Sequence, residues 1–460
     1  MITRLRINNF KSWRSTNDIR FSKLTGFFGT NSSGKTSLLQ LLLLLKQTTE
    51  SADRTQVLDL GNERSFLELG TFKDIIFRHN TEDSLEFAID WTLDKTFKII
   101  NPEKKGVTLF EGKDLSFKST IKQTQQGKIY VDTFSYTFNK STFQIKRKKE
   151  DKYELFPKKS ENGENEEFTF NRTQGRAWDL PVPTKCYGFP DQVKAYYSNA
   201  GFLSDLQLKF EELFAGIYYL GPLRDYPRRQ YIWAGAQPAD MGRRGERVID
   251  AMLVSTERKQ MISQGQGRGK KRLTVEEYVA LKLKELGLID GFHVQRIVEG
   301  GNLYQVLLKI SSQSPEVIIT DVGFGVSQIL PVITLCYYVP EGSTLIIEQP
   351  EIHLHPKVQA GLADVFIDAI EKRNIRIILE SHSEHLLRRL QRRIAEENFS
   401  SDSSALYFCD SLNGESTLKK LEIDSYGNIL NWPQGFFGDD MDELAAMSEA
   451  IYKRKSGKNG

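Results

Sequence analysis

Cysteine is scarce in this sequence of 460 residues, and long apolar runs are missing. The three cysteines, Cys186, Cys336 and Cys409, are widely spaced, so they predict neither a disulfide framework nor a zinc cluster and suit a reducing compartment. The longest apolar run, residues 38–45, is interrupted by Gln40 and is far shorter than the roughly 20 residues of a membrane-spanning helix. Because the N-terminus also has no signal-peptide segment, we expect a cytoplasmic protein without a membrane partner.

An excess of charge of one sign is also missing. The sequence has 63 basic and 60 acidic residues, which gives a formal net charge of +3 at pH 7. A protein that coats nucleic acid carries a larger basic excess, so any nucleic-acid contact must come from a local patch. Hydrophobic residues make up 39% and charged residues 27% of the chain, which excludes a disordered protein and favours a globular one.

The pattern of apolar residues divides the chain into an α/β core and a long insertion. Residues 1–71 contain predicted strands and a helix, and residues 291–460 alternate strands with helices, which is typical of a mostly parallel sheet covered by helices. Short alternating segments in residues 72–190 predict an antiparallel β arm. Residues 191–290 are predicted to be mainly helical. The sequence therefore predicts an α/β core that is split by a β arm and a helical part.

The strongest motif is GTNSSGKT at Gly29–Thr36, here called the phosphate loop, between an apolar strand and a helix. It fits G-x-x-x-x-G-K-[ST], in which the glycines let backbone N–H groups curl around phosphates. The lysine then reaches the β- and γ-phosphate oxygens, and the hydroxyl of the last residue ligates Mg²⁺. The candidate nucleotide-binding residues are Gly29, Asn31, Ser33, Gly34, Lys35, Thr36 and Ser37.

Three segments nearer the C-terminus carry further candidate residues. STLIIEQPEIHLHP (343–356) is an apolar strand that ends at Glu348, where an acid could contact a metal beside the phosphate loop. TDVGFGVSQILP (320–331) places a glycine turn and Ser327 before a predicted helix, whose N–H groups could bind a second anion. IRIILESHSEHLL (375–387) ends its strand just before His382.

With these motifs the sequence resembles the ABC-type ATPases of the SMC, RecF and OLD group. The opening segment with Arg4, Arg6 and NNFKSW (8–13) is similar to the first strand of that group. The resemblance implies a P-loop, ABC-type ATPase head that binds ATP and Mg²⁺. It also implies a homodimer or higher homo-oligomer, because the signature serine in such families completes the ATP site of the opposite subunit.

The resemblance assigns roles to residues of this chain. Glu348 matches the Walker B acid and, together with Thr36, would contact the metal. Gly325 and Ser327 match the signature turn and its serine, and His382 matches the switch histidine that senses the γ-phosphate.

Gln349 departs from the family pattern. That pattern ends the strand with Asp-Glu, whose glutamate polarises the attacking water, whereas this chain has Glu348-Gln349. A glutamine cannot accept a proton, so hydrolysis is expected to be slow or to use Glu351 or another group as the base.

The nearest subgroup is that of bacterial ATPases with EQPE-HLHP and SHSEHLL elements, which also resemble this chain in YLGPLRDYPRRQY (219–231). Several relatives are the ATPase subunits of anti-phage cassettes, for example the Septu and PARIS ATPases, and work with a separate nuclease or toxin. The resemblance thus implies a sensor or regulator of an effector protein in phage defence. The acid-rich Toprim nuclease domain of OLD relatives is not expected in this chain.

Two other functions stay open at the level of sequence. One is a RecF-like DNA repair ATPase, for which the basic runs at 146–149, 268–272 and 388–393 would contact the DNA backbone, unless they are solvated faces. The other is a scaffold that binds nucleotide without hydrolysing it.

The hydrolysis rate tests the interpretation of Gln349. We expect slow ATP hydrolysis by the wild type and faster hydrolysis by Gln349→Glu, because a carboxylate can accept the proton of the attacking water. Steady-state phosphate release measures both rates. Rapid hydrolysis by the wild type that the substitution leaves unaffected would contradict this interpretation.

Overall fold

The first part of the chain holds the phosphate loop between a strand and a helix. The computed structural model describes residues 1–101, 106–158, 168–173, 178–238, 240–265, 271–433 and 447. The first elements are β1 (Ile2–Phe10), β2 (Trp13–Ser15), β3 (Ile19–Arg20), β4 (Leu24–Gly29), α1 (Lys35–Glu50) and α2 (Phe72–Ile75). The loop joins β4 to α1, as the motif predicts.

A large antiparallel sheet follows. Its long strands are β5 (Leu85–Ile100), β6 (Thr108–Gln123), β7 (Ile129–Phe138), β8 (Ser141–Lys149) and β9 (Lys152–Lys158). They are ordered β2-β1-β5-β6-β7-β8-β9, and β3 also pairs with β1. The predicted antiparallel strands are therefore present, and they continue a sheet that β1 begins.

The middle of the chain is mixed. Its elements are α3 (Gln192–Tyr196), α4 (Leu203–Ala215), β10 (Ile217–Leu220), β11 (Tyr231–Ile232), α5 (Val248–Glu257), β12 (Met261–Ser263), β13 (Arg272–Thr274) and α6 (Val275–Glu285). The prediction for this stretch was mainly helical, but IYYL forms β10, which pairs in parallel with a later strand. A run of four aromatic and aliphatic residues favours a strand, although it is too short to stand out by periodicity.

The last part alternates strands and helices. Its elements are β14 (Gly291–Arg296), β15 (Leu303–Lys309), β16 (Glu316–Ile318), α7 (Phe324–Tyr338), β17 (Thr344–Glu348), α8 (Pro356–Arg373), β18 (Arg376–Glu380), α9 (Glu384–Ala395), β19 (Ser404–Leu412) and β20 (Glu415–Leu421). The predicted alternation from α7 to α9 is confirmed. The hairpin of β19 and β20 was not predicted, and it follows α9.

The central sheet joins both ends of the chain. Its order is β10-β17-β18-β4-β19-β20, and every pair is parallel except β19 with β20. The strand that carries the phosphate loop therefore lies between two strands from the C-terminal part. This arrangement confirms the predicted α/β head that is split by an insertion.

The central sheet is covered on both faces. Along β17, Ile346 packs in the core that contains α1 and the antiparallel sheet, whereas Leu345 and Ile347 pack in the core of the C-terminal helices. Alternate residues of a strand point to opposite faces, so a doubly covered strand reads as a continuous apolar run. This explains why LIIE and IILE are apolar up to their final acids.

Some sequence predictions lie outside the described residues. These are most of the basic run at 268–272, the tail segment beyond residue 433 with Phe436 and Phe437, and the acidic run GDDMDE at 438–443. Within the described part of the chain, no helix has the length and apolar character needed to cross a membrane.

A half-buried carboxylate joins the helices α6, α7 and α8. Asp368 of α8 accepts hydrogen bonds from Tyr278 of α6 at 2.9 Å and from Tyr337 of α7 at 2.7 Å. The ammonium group of Lys372 lies 2.7 Å from the same carboxylate. Burial acts to raise the pKa of Asp368, but the hydrogen bonds from Lys372 and Tyr337 and the charge of Lys282 outweigh it and lower this pKa.

Asp368→Ala tests this junction. Because two phenol groups lose their acceptor, we expect the free energy of unfolding to fall by about 1–3 kcal/mol. Glu371→Ala, an exposed change on the same helix, should stay within about 0.5 kcal/mol of the wild type. Denaturant unfolding measures both variants, and equal stabilities would show that the junction contributes nothing.

Candidate nucleotide-binding site

The lysine of the phosphate loop is hydrogen-bonded to backbone oxygens of the same loop. Lys35 is almost fully buried, and its ammonium group donates to the backbone oxygens of Gly29 at 3.2 Å and Thr30 at 2.6 Å. The hydroxyl of Ser33 also donates to the Thr30 oxygen, at 2.8 Å. Burial lowers the pKa of Lys35, and the negative charge of Glu380 opposes this shift. The lysine is thus held at the loop by acceptors that an anion could replace.

Close packing explains the two glycines of the loop. Gly29 has φ +136°, and an added Cβ would lie 2.0 Å from the backbone oxygen of Cys409 in β19. Gly34 has φ +87°, and a Cβ there would lie 2.4 Å from the hydroxyl oxygen of Ser416 in β20. The indole of Trp13 donates to the Gly34 oxygen at 3.0 Å. β19 and β20, from the C-terminal part of the chain, therefore pack so closely against the loop that these two positions have no room for a side chain.

Glu380, which the sequence analysis did not single out, lies at the loop. It ends β18, is only 2% exposed, and accepts the hydroxyl of Thr36 at 2.8 Å and 3.1 Å with its two oxygens. Burial raises the pKa of Glu380, while the hydrogen bond from Thr36 and the charge of Lys35 act in the opposite direction. The available signal was an acid at the end of the apolar strand IRIILE, the same pattern that identified Glu348.

Glu348 lies at the end of the neighbouring strand, as predicted. It is directly opposite Glu380 in the register of β17 and β18. The hydroxyl of Tyr219, from β10, donates to its carboxylate at 2.9 Å, and Arg224 donates to its backbone oxygen at 3.1 Å. Burial, followed by the charge of Glu380, raises the pKa of Glu348 to about 7.

Gln349 and Glu351 contact the segment that follows β18. The backbone N–H of Gln349 donates to the Glu380 oxygen at 2.8 Å, and Gln349 itself has φ +44°. Glu351 is buried and accepts the backbone N–H of His382 at 2.5 Å. Its pKa is raised by burial, which the hydrogen bond from His382 opposes.

His382 faces the phosphate loop. Burial and the charge of Lys35 lower its pKa, while a hydrogen bond to the backbone of Gly29 opposes them. The structure therefore brings Gly29, Ser33, Gly34, Lys35, Thr36, Glu348, Gln349, Glu351 and His382 to the ends of β4, β17 and β18. Asn31 is exposed in the same loop, and Ser37 lies in the first turn of α1.

Gly325 and Ser327 lie at a second place, the start of α7. The helix begins at Phe324, and a Cβ added to Gly325 would make ordinary contacts with the His353 oxygen and Leu354, both 3.8 Å away. Ser327 is buried, and its hydroxyl donates to the Phe324 oxygen of its own helix at 2.7 Å. The helix start therefore presents backbone N–H groups, while the serine hydroxyl is turned inward.

The two histidines after β17, His353 and His355, contact neighbouring residues of the chain. His355 caps α8 by accepting the N–H of Lys357, and the ring of His353 contacts that of Phe324. In the residues that the structure describes, no cluster of three or more His, Cys, Asp or Glu side chains is arranged to hold a metal ion.

The basic run of α9 is paired with acids, and the run in the β8 and β9 hairpin is paired in part. In α9, Arg389 and Arg393 both contact Asp364, and Arg388 and Arg392 contact Glu384 and Glu396. In the β8 and β9 hairpin, Lys148 contacts Glu154, and Arg147 lies over the ring of Tyr130. These contacts reduce the positive charge that either surface could offer to a nucleic acid.

Family models match both parts of the split core. Residues 1–184 match the model described as "AAA ATPase domain", and residues 268–388 match the model described as "AAA domain, putative AbiEii toxin, Type IV TA system". The first match contains the phosphate loop, and the second contains the ends of β17 and β18. Both matched models describe AAA domains, which the two parts of the split core therefore resemble. Residues 400–447 match "Protein of unknown function (DUF3696)", and no curated protein matches the chain.

Similar solved structures include three SMC head domains. The SmcHead bound to the C-winged helix domain of ScpA is 13% identical, with 92% of this chain and 98% of that chain covered and a TM-score of 0.44. The SMC head domain from Thermotoga maritima is 10% identical, with 92% and 99% covered and a TM-score of 0.39. The Smc head domain with an extended coiled coil, bound to the C-terminal domain of ScpA derived from Pyrococcus furiosus, is 10% identical, with 98% and 99% covered and a TM-score of 0.42.

Gly29→Ala tests the packing of the loop. The added Cβ would collide with the backbone of Cys409, so we expect a clear fall in melting temperature and loss of nucleotide binding. Gly414→Ala is the matched control, because its φ of +75° is also positive but nothing lies within 4 Å of the new Cβ. That control should show only the modest backbone penalty of about 1 kcal/mol. Equal effects of the two changes would contradict the role of the β19 contact.

Proposed function

We propose that this chain binds ATP with Mg²⁺, that ATP joins two copies of it, and that the joined state regulates a separate effector protein. The observation that carries the proposal is the phosphate loop, in which Thr36 donates to the Glu380 carboxylate at the end of β18 and Lys35 lies beside the charges of Glu380 and Glu351. A buried lysine, a hydroxyl and several carboxylates are the groups that a nucleotide with a hard divalent cation requires.

The residues of the loop would act by exchanging partners. Lys35 would transfer its hydrogen bonds from the Gly29 and Thr30 oxygens to phosphate oxygens, and the N–H groups at the start of α1 would face the same phosphates. Bound Mg²⁺ would neutralise part of the phosphate charge. His382, whose ring contacts the loop backbone, is placed to respond to the phosphate that enters.

Slow hydrolysis agrees with the chemistry of Gln349, which stands where the family pattern has the catalytic base, and with the surroundings of Glu351, the candidate that could replace it. Gln349 has no carboxylate, and Glu351 is buried with one oxygen engaged by the His382 N–H. A carboxylate that is buried and already accepts a hydrogen bond is poorly placed to take a proton from water. A long-lived ATP-bound state would suit a regulator whose output depends on nucleotide occupancy.

The start of α7 is the surface we assign to the second copy. Nothing lies within 4 Å of a Cβ added to Gly323, and the side chains of Tyr226 and Phe324 are exposed nearby. Because the hydroxyl of Ser327 is engaged within its own helix, the contact with the partner's nucleotide would be made by the backbone N–H groups of Phe324 and Gly325.

A role in defence against phage is the setting we propose for the effector. Support comes from the resemblance of the EQPE-HLHP and SHSEHLL elements to defence ATPases and from the match to a family whose description names a toxin–antitoxin system. The RecF-like alternative is less well supported, because the described arginines of α9 are paired with acids.

Two variants separate ATP binding from pairing. Lys35→Ala removes the phosphate-binding ammonium group, so we expect it to lose both ATP binding and the ATP-dependent dimer. Gly325→Glu adds a carboxylate where the partner's phosphates would approach, so it should keep ATP binding but lose the dimer. Calorimetric titration and light scattering with and without ATP measure the two properties.

The proposal that ATP joins two copies also requires that the wild type forms a dimer when ATP is present. A monomer at all ATP concentrations would overturn the pairing, while absence of ATP binding would overturn the proposal as a whole. A dimer that Gly325→Glu leaves intact would show that α7 is not the contact surface.

A further inference from the structure

We infer that Glu380, rather than Glu348, is the carboxylate that holds the metal of the phosphate loop. This inference rests on the proposed function, because it concerns the Mg²⁺ that accompanies ATP. Both oxygens of Glu380 accept the hydroxyl of Thr36, which is the metal-binding residue of the loop motif. A carboxylate that contacts the hydroxyl ligand directly is also within reach of an ion bound to that hydroxyl.

The order of the strands favours Glu380. β18 lies between β17 and β4, so Glu380 is opposite Phe27 of the loop strand, whereas Glu348 is one strand farther away. Glu348 would have to extend past the end of β18 to meet an ion at Thr36, whereas Glu380 already contacts the Thr36 hydroxyl.

Glu348 is also occupied elsewhere. The hydroxyl of Tyr219 donates to its carboxylate, and Arg224 is packed against its strand end with a hydrogen bond to its backbone oxygen. Arg224 is itself buried, with two guanidinium nitrogens that have no hydrogen-bond partner. These contacts direct Glu348 towards β10 and away from the loop.

Gln349 acts as a positioning residue for Glu380 under this inference. Its backbone N–H donates to the backbone oxygen of Glu380 at 2.8 Å, and the side-chain amide acts to lower the pKa of the Glu380 carboxylate. An amide can donate a hydrogen bond to a carboxylate and so help to orient it. The glutamine is therefore consistent with a metal carboxylate on the next strand.

The dependence of ATP affinity on Mg²⁺ tests the inference. ATP binding is measured by calorimetric titration in Mg²⁺ and in EDTA, and the ratio of the two affinities reports the metal site without any need for hydrolysis. We expect Glu380→Gln and Glu380→Ala to lower this ratio by about 10- to 100-fold while binding in EDTA is retained. Glu348→Gln should lower it less. Glu384→Gln, a surface carboxylate paired with Arg388, is the matched control and should leave it unchanged.

Each outcome has a definite meaning. A ratio that stays at the wild-type value in both Glu380 variants overturns the inference, and so does a greater loss in Glu348→Gln than in Glu380→Gln. Failure of the wild type to bind ATP in either buffer would contradict the proposed function instead. Melting curves identify a variant that has not folded, and the isosteric Glu380→Gln then carries the test. Mn²⁺ with ATP, followed by electron paramagnetic resonance, gives an independent reading of the same site.

Discussion

The burial of three carboxylates at the ends of adjacent strands is the constraint on which the rest of the site depends. Glu348, Glu351 and Glu380 all lie in surroundings that raise their pKa values, because burial disfavours a negative charge. Each is stabilised by a specific donor: Tyr219, the His382 backbone and Thr36 respectively. Buried carboxylates beside a buried lysine are the groups that the proposed binding of a cation together with a polyanion would use.

The layers on either side of the central sheet keep these groups in place. α1 is buried along almost its whole length, between the central sheet and the antiparallel sheet, so the lysine and threonine at its start have little freedom to move. On the other face, α7 and α8 are joined through Asp368 and support β17 and β18. The geometry of the site therefore depends on packing on both faces of the sheet.

Much of this arrangement could be predicted from local patterns, and the rest depends on contacts between distant parts of the chain. The phosphate loop and the acid that ends LIIE were predicted from local patterns, and His382 was predicted from the family resemblance. Glu380 ends its strand with the same local pattern as Glu348, but its place next to the loop follows only from the strand order. The inward turn of the Ser327 hydroxyl could not be predicted either, since it depends on where α7 begins. β10 was too short to be distinguished from the helices around it.

The contact between the hydroxyls of Ser12 and Ser416 has a consequence for the order of folding. These residues are 404 positions apart in sequence, yet together they enclose Gly34. β4, which carries the phosphate loop, pairs in the central sheet with β18 and β19, and both of these strands come much later in the chain. During synthesis the candidate nucleotide site can therefore form only after the hairpin of β19 and β20 has left the ribosome. Contacts between residues so far apart in sequence form late in folding, so we expect the site to be completed late.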